Sequence, residues 1–261
     1  MSCRLPLLFI LLATPAIGSE AAEQLVLATY KLANPSSTAT GLAVRHARTG
    51  GEERTYLLTA RHVFDQMEGD RFQLIDREDR PDGTYGRRER SVPLRAGGEP
   101  LWKTHSQHDL ALLRLPDELE VEALPFAALA KAEELKRIHT GDSVRLAVFP
   151  ERSEANGAGF SILRGGTIAS YPLVPHRLHA IFLVDTTAWK GDSGGPVMHA
   201  KLTAPGDGPL VIGFVRGMRN ITDTEKESRF VERKIDYPLG VSEVLHAVFA
   251  RELIEKTAEE D

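Results

Sequence analysis

The sequence predicts an all-β protein that ends in one helix. Short β-branched or alternating runs recur along most of the chain, and each is bounded by Gly, Pro, Asn or Asp. These runs do not alternate with long helical patterns, as strands do in βαβ units. An apolar stripe at helical spacing appears near the C-terminal end. Many short strands of this kind are typical of sandwiches and barrels.

The first element, residues 1–19, is predicted to be a secretory signal peptide. A short, positively charged start is followed by the apolar run 5–13 and by small residues, Ala16 and Gly18, at the −3 and −1 positions of a cleavage site. The run is too short to span a bilayer. Cys3 is the only cysteine, so the mature chain would contain no disulfide. These features favour a periplasmic or secreted bacterial protein, free of the membrane once the signal is removed.

Two groups of strands follow, separated by a different kind of segment. The predicted strands are residues 25–32, 41–48, 56–59, 71–76 and 110–115, and then residues 143–149, 159–164, 180–184, 196–200 and 210–215. Between them, residues 123–138 are rich in Ala, Glu, Lys and Leu, which indicates a connector with one or two helical turns. We therefore predict two β-rich units, residues 20–125 and residues 126–261.

The last predicted element is a C-terminal helix. Ser242 is a suitable N-cap residue for it. The apolar positions that follow at helical spacing are Val244, Leu245, Val248, Phe249 and Leu253. We expect this stripe to pack against the second unit rather than to bind a partner.

The charge of the chain argues against nucleic acid as a partner. The net charge is −5, and the densest basic patch, residues 87–90, is interrupted by an acid. A phosphate-binding surface requires a longer basic stretch than this. Nothing in the sequence indicates an oligomeric state.

The most informative motif is the hexapeptide Gly191-Asp192-Ser193-Gly194-Gly195-Pro196. Glycines adopt turned geometries that other residues resist, so such a loop can direct several backbone N–H groups towards one point. A serine beside that point is what an acyl-transfer enzyme needs, a nucleophile next to donors for the oxyanion. The same residue types also form ordinary surface turns, so the interpretation depends on partners elsewhere in the chain.

Two residues are candidates for those partners. His62 follows an apolar strand and a small-residue turn, in the run Thr59-Ala60-Arg61-His62, although a buried structural histidine would fit there too. Asp109 directly precedes the apolar run Leu110-Ala111-Leu112-Leu113, so its carboxylate is drawn towards the interior and needs a specific donor. A strand-start aspartate that caps its own turn is the alternative.

Together, in the order His62, Asp109, Ser193, these motifs resemble the trypsin-like serine protease family. The similarity is nearest to its exported bacterial branch, the protease domain of the HtrA group, without the peptide-binding module of that group. The resemblance implies two six-stranded antiparallel β-barrels with the site in the cleft between them. It also implies a polypeptide substrate and no cofactor or metal.

The resemblance implies roles for individual residues. Ser193 would be the nucleophile, His62 the general base and then acid, and Asp109 the group that orients His62. The N–H groups of Gly191 and Ser193 would form the oxyanion hole. The pocket for the residue before the cleaved bond would be lined by Thr187, Ala188, Lys190, Val215, Arg216 and Gly217.

The chain departs from the vertebrate members of this family in its activation signals. Those members are switched on when a new N-terminal amine pairs with the aspartate before the nucleophile, here Asp192. No cleavage site of that kind follows the signal peptide. Either the enzyme is active once exported, or another cation or a backbone group satisfies Asp192. Arg216, near the pocket wall, could favour an acidic substrate side chain or simply face solvent, and we favour solvent.

Other functions fit parts of the sequence. The G-x-S-x-G pattern around Ser193 also occurs in α/β-hydrolase esterases, where Asp236 and His246 could complete a triad. A catalytically silent, peptide-binding relative of the same fold is a further alternative.

Two histidine pairs have the spacing of metal ligands, His105 with His108 and His176 with His179. Neither pair has a third ligand nearby in the sequence, so we interpret all four as solvent-facing residues and expect no metal site.

Overall fold

The computed structural model describes residues 17–47, 51–206, 208–226 and 232–260. Most of the predicted signal peptide, including Cys3, therefore lies outside the described residues. The first helix, Ile17–Leu27, begins inside the predicted segment 1–19. Among the described helices, none is both long and apolar enough to cross a membrane.

The described part of the chain is mainly β-structure. Its strands are β1 (Thr29–Ala33), β2 (Thr38–Ala47), β3 (Glu53–Thr59), β4 (Arg71–Asp79), β5 (Tyr85–Pro93), β6 (Arg95–Ala96), β7 (Glu99–Pro100), β8 (Trp102–Thr104), β9 (Ala111–Arg114), β10 (Leu124–Pro125), β11 (Ser143–Val148), β12 (Ile162–Thr167), β13 (Ile181–Val184), β14 (Pro196–Thr203), β15 (Pro209–Lys226) and β16 (Glu232–His246). Its helices are α1 (Ile17–Leu27), α2 (Arg61–Gln66), α3 (Ala132–Leu135) and α4 (Val248–Glu260), with 3-10 turns at Phe126–Ala128 and Pro150–Arg152.

The first sheet contains eight strands. Seven lie in the order β5-β4-β1-β2-β3-β9-β8 and pair antiparallel, while the short β10 pairs in parallel with β2. A separate two-stranded ribbon is formed by β6 and β7. The ends of β3 and β9 lie side by side, because Thr59 pairs with Ala111. This register brings the segments that follow β3 and precede β9 close together.

The second sheet contains six antiparallel strands in the order β12-β11-β14-β15-β16-β13. Its two ends are joined by the bonds from Asp185 N–H to Thr167 O and from Ala169 N–H to Leu183 O, both 2.8 Å. These bonds join β13 to the end of β12 and the residues that follow it, so the sheet curls round until its two end strands meet there. The all-β class, the chymotrypsin-like arrangement of antiparallel sheets and the C-terminal helix are confirmed. The first sheet has eight strands rather than the predicted six, because the short β8 and β10 add to its strands.

The apolar core falls into two clusters. One lies inside the first sheet and includes Tyr30 and Phe64. The other is shared, because Val44 and Tyr56 of the first sheet pack in one cluster with residues of the second, such as Phe214. This shared core holds the two sheets in a fixed relation, and burial of this kind stabilises by about 25 cal/mol per Å² of apolar area. The unit boundaries 20–125 and 126–261 stay predictions.

Every predicted strand but the first is confirmed, with ends shifted by a few residues or, in β15, extended. The prediction for residues 25–32 was partly wrong. Helix α1 continues to Leu27, and only the part from Thr29 is extended. Leu25 is fully buried, in the cluster shared with the second sheet, and α1 packs on β14 and β15. This tertiary contact overrides the β-pattern. The connector predicted at 123–138 is confirmed as short turns.

The predicted start of the C-terminal helix was wrong. Val244 and Leu245 belong to β16 and pair with Phe182 and Ile181 of β13, and α4 begins only at Val248. Instead of capping a helix, the Ser242 hydroxyl donates to Thr186 O at 2.6 Å. The apolar spacing of this stretch suits a two-sided buried strand as well as a helix, and the neighbouring strands decide between them.

Candidate active site

His62 lies at the start of α2, directly after β3. Its backbone N–H lies in the first turn of the helix, where N–H groups have no acceptor within the helix itself. That group donates to Asp109 Oδ1 at 2.9 Å. The hydrogen bond fixes the backbone of the histidine before its side chain makes any contact.

Asp109 lies in the turn before β9, which is closed by the bond from His105 N–H to Leu110 O. Its Oδ2 is 2.8 Å from His62 Nδ1. Burial on its own would raise the pKa of Asp109, but the two hydrogen bonds from His62 and the nearby Arg216 charge hold that pKa below its usual value. An ionised carboxylate can only accept, so Nδ1 carries the proton and Nε2 is left as an acceptor.

Ser193 completes this line of contacts. Its Oγ lies 3.1 Å from His62 Nε2, the ring nitrogen that can accept the hydroxyl proton. Both sheets hold the serine loop: Thr40 N–H of β2 donates to Ser193 O at 3.0 Å, and Gly194 N–H donates to Val215 O of β15 at 2.8 Å. The structure thus brings together all three predicted residues at the junction of the sheets.

Gly194 shows why this loop requires glycine. Its φ is +85°, which is unfavourable for residues with a side chain. A Cβ at this position would also overlap the side chain of Thr59 and the carbonyl of Thr40. Because β2 and β3 supply these neighbours, the close approach of the first sheet excludes any larger residue next to Ser193.

The backbone beside Ser193 presents two N–H groups that were predicted to form an oxyanion hole. Gly191 has φ +99°, and its carbonyl accepts from the Thr40 hydroxyl at 2.7 Å. Within the part of the chain that the structure describes, neither Gly191 N–H nor Ser193 N–H has an acceptor. Two free donors beside a nucleophile can stabilise the negative charge that develops in acyl transfer.

An open cleft of about 410 Å³ adjoins these groups. The histidine, the serine and Gly191 line one part of it. The other lining residues are Ser36, Ser37, Thr38, Ala39, Val63, Gln66, Met67, Glu151, Arg152 and Lys190. The walls of the cleft expose both polar and apolar groups, since Val63 and Met67 line it beside Gln66.

The residues predicted to line the substrate pocket differ in how far they are exposed to solvent. Ala188 and Val215 are buried, and Thr187 is half-buried. Lys190 is exposed and lines the cleft. Around Gly217, a Cβ would meet nothing within 4 Å, so space exists beside it. Their role in substrate binding stays a prediction.

Arg216 occupies a β-bulge. The register shifts between Val215 and Gly217, so Arg216 has no partner on β16, and a bulge re-aims its side chain. Its Nε is 3.6 Å from Asp109 Oδ2, and its Nη1 is 3.3 Å from Glu243 Oε2. Two carboxylates therefore occupy this guanidinium, which remains 43% exposed.

The carboxylate of Asp192 forms an ion pair with an arginine from within the fold. Its Oδ2 is 3.0 Å from Arg164 Nη1 of β12 and accepts from Trp189 N–H at 2.9 Å. Burial raises the pKa of Asp192 to about 6, outweighing the opposite effects of Trp189 N–H and Arg164. The other oxygen, Oδ1, is buried without a hydrogen-bond partner, which explains why desolvation dominates.

Comparison with known proteins identifies the family. Residues 39–203 match the model of the trypsin-like peptidase domain. The chain belongs to the trypsin-like peptidase family. No match is found among curated proteins.

Solved structures agree with the peptidase fold. The Rv3671c protease of M. tuberculosis, in an inactive form, is 16% identical with a TM-score of 0.51, over 93% of this chain and 95% of that one. Human heparin binding protein is 13% identical with a TM-score of 0.54, over 91% of this chain and 94% of that one. At such identities, the likeness supports the chymotrypsin-like serine protease fold and nothing finer.

The esterase interpretation does not fit the peptidase fold. Strand β14 begins at Pro196, where an esterase needs a helix after its serine. Asp236 and His246 lie ten residues apart on one strand, β16. Asp236 is bonded to Thr222, whereas His246 is buried against Phe182. They cannot converge on Ser193.

The candidate metal-binding histidines have other surroundings. The rings of His105 and His108 stack with centroids 4.7 Å apart, and both pack on Phe249 of α4. His105 is thus half-buried rather than solvent-facing, and His176 also approaches Phe249, at 5.7 Å. The described residues contain no cluster of three or more potential ligands arranged to hold a metal ion.

The ion pair between Arg164 and Asp192 predicts that the free energy of unfolding depends on pH. Because folding raises the pKa of Asp192 from 3.8 to about 6, its contribution to stability is fully present below pH 4 and is lost as the pH rises through 6. Removing the cation leaves a buried charge at high pH, at a cost of about 3 kcal/mol. We expect Arg164→Met to lower the free energy of unfolding by that amount at pH 8 and by much less at pH 5.

Urea denaturation at the two pH values measures this difference. Arg145→Met is the matched control, since Arg145 lies on the adjacent strand β11 and donates only to the Val144 carbonyl among the described contacts. Equal losses for Arg164→Met at pH 8 and pH 5 would contradict the assignment of Arg164 as the charge partner of Asp192.

Sequence reasoning did not find Thr40, Arg164 or Glu243. Each acts across a sheet junction or a long stretch of sequence, and Thr40 is 151 residues from Gly191. A threonine or arginine in a strand has no local signature of such a role. One signal was present for Arg164, since the sequence predicted that a cation or a backbone group within the chain could satisfy Asp192.

Proposed function

We propose that this peptidase is an exported serine endopeptidase that hydrolyses peptide bonds through Ser193, His62 and Asp109. The observation that carries the proposal is the continuous contact from Asp109 Oδ2 to His62 at 2.8 Å and from His62 Nε2 to Ser193 Oγ at 3.1 Å. Membership of the trypsin-like peptidase family supports a polypeptide substrate.

In the proposed reaction, His62 Nε2 takes the proton of the Ser193 hydroxyl while Oγ attacks the carbonyl carbon of the substrate. The carbonyl oxygen becomes an oxyanion, and the N–H groups of Gly191 and Ser193 stabilise it. Asp109 stabilises the imidazolium that forms. The imidazolium then donates its proton to the leaving amine as the C–N bond breaks, leaving an acyl-enzyme on Ser193.

Water completes the cycle. His62 accepts a proton from the water molecule, and the hydroxide attacks the acyl carbon. The same two N–H groups hold the second oxyanion. When it collapses, the ester bond to Ser193 breaks, and Oγ regains a proton from the imidazolium.

We further propose that this enzyme needs no new N-terminal amine for activity. Arg164 already supplies a cation to Asp192 from within the fold, at 3.0 Å. With this partner, the loop at 191–195 is held in the geometry described above. The predicted signal peptide and the disulfide-free chain support export to the periplasm or beyond, as in the HtrA group.

An organophosphonate probe tests the proposal, because it reacts covalently only with an activated serine. We expect the wild-type protein to be labelled once per chain, and the Ser193→Ala and His62→Ala variants not to be labelled. Ser36→Ala is the matched control, as Ser36 lines the same cleft.

A catalytically silent, peptide-binding relative would not react with the probe at all. Labelling that persists in Ser193→Ala would assign the reactivity to another residue. Profiling a peptide library with the wild-type protein then gives the residue preferred before the cleaved bond.

A further inference from the structure

The segment 150–154, here called the strap, crosses beside the serine loop in an unfavourable conformation. Glu151 and Arg152 have φ values of 47° and 67°. Residues with a Cβ rarely occupy this left-handed region. Such conformations persist only where surrounding contacts impose them, and they cluster at functional sites.

One set of these contacts comes from Lys31 in the middle of β1. Its Nζ donates to Arg152 O at 2.6 Å and to Glu154 Oε1 at 2.7 Å. Lys31 is only 8% exposed. A lysine is almost never buried this far unless it is paired, so the strap supplies the contacts that make this burial possible.

On its other side, the strap holds the serine loop. Glu151 N–H donates to the carbonyl of Lys190 at 2.6 Å. The peptide bond between Lys190 and Gly191 is trans and planar, so its N–H points opposite to its C=O. Fixing the Lys190 carbonyl on the strap therefore fixes the direction of the Gly191 N–H.

We propose that Lys31 is a positioning residue for the oxyanion donor Gly191, acting through the strap. This inference rests on the function proposed above. The chain of contacts runs from Lys31 to the Arg152 carbonyl, through the backbone to Glu151 N–H, and on to the Lys190–Gly191 peptide. Because Lys31 lies in β1, these contacts also tie the serine loop to the first sheet.

The test is Lys31→Met, which substitutes an unbranched apolar side chain one atom shorter and removes the charge and the donors. Loss of one oxyanion donor costs about 100- to 1,000-fold in kcat, and misdirecting it costs less. We expect kcat for a peptide substrate to fall by about 10- to 100-fold with little change in KM. A peptide boronate, whose tetrahedral adduct occupies the oxyanion site, should bind more weakly by the same factor.

Hydrogen exchange gives a readout that does not depend on activity. The Glu151 amide is bonded to Lys190 in the wild-type protein. In Lys31→Met, we expect it to exchange at least tenfold faster, while the amides of β11 exchange at the wild-type rate. Glu154→Gln, which removes the ion pairs of Glu154 with Lys31 and Arg87 but leaves the bond from Lys31 to the Arg152 carbonyl, should give a smaller change in the same direction. Should Lys31→Met fail to fold, this milder variant decides the question.

Arg88→Met is the matched control. Arg88 makes a 2.6 Å ion pair with buried Asp76 in the same sheet, and it has no contact with the strap among the described residues. It should leave kcat and boronate binding unchanged. The proposal is overturned if Lys31→Met keeps wild-type kcat, or if it lowers thermal stability alone. Wild-type protein that neither turns over peptides nor binds the boronate would refute the proposed function instead, before any variant is compared.

Discussion

Replacing Ser193 by alanine is expected to lower kcat for peptide hydrolysis by about four to six orders of magnitude. Without Oγ, no acyl-enzyme can form, and only the binding energy and the oxyanion donors remain to assist direct attack by water. His62→Ala should cost a similar amount, because the Ser193 hydroxyl loses the acceptor that lies 3.1 Å away.

The two losses should not add. Ser193 and His62 act as one unit. We therefore expect kcat of the double variant to equal that of the less active single variant, rather than to fall by the product of the two individual factors. Steady-state kinetics on one peptide substrate measures all three. His139→Ala serves as the control for histidine removal, because His139 is exposed and lies away from the cleft lining. Near-normal turnover by either single variant would remove that residue from its proposed role.

Asp109→Asn is expected to lower kcat by about four orders of magnitude with the fold intact. The carboxylate accepts twice from His62, from N–H and at Nδ1. An asparagine that keeps the backbone contact turns its NH2 group towards Nδ1. That nitrogen must then accept, which places the proton on Nε2, where it blocks removal of the Ser193 proton.

The comparison for this variant is Asp117→Asn. Asp117 is exposed and pairs with Arg114 at the far end of β9, so its change should leave kcat as it is. Circular dichroism and urea denaturation confirm that both variants are folded. Turnover by Asp109→Asn within tenfold of the wild type would mean that the carboxylate does not set the state of His62.

Local patterns predicted most of the strands and the three residues proposed for catalysis. The glycines of the hexapeptide have a local requirement that any sequence must meet, since Gly191 and Gly194 adopt φ of +99° and +85°. Strand runs such as β3 and β9 have a period and composition that few other structures allow. These features depend only on residues that are close together in the sequence, so they can be predicted without knowledge of the tertiary structure.

The failures share a different cause. Leu25 is in a helix and Val244 is in a strand because distant surfaces bury them, and both patterns suit either state. Arg216 faces Asp109 because of a bulge that no single strand encodes. In each case the local sequence is compatible with more than one conformation, and contacts between residues far apart in the chain determine which one forms.

The sequence by itself determined the all-β class, the turn geometry around Ser193, and the candidates His62 and Asp109. Only the tertiary structure decided that Arg164 neutralises Asp192 and that Lys31 reaches the strap beside Gly191. The physical reason is that a residue's preference for helix, strand or turn is set within a few neighbours. A charge, by contrast, selects its partner by distance in space, and that distance exists only after the two sheets have packed together.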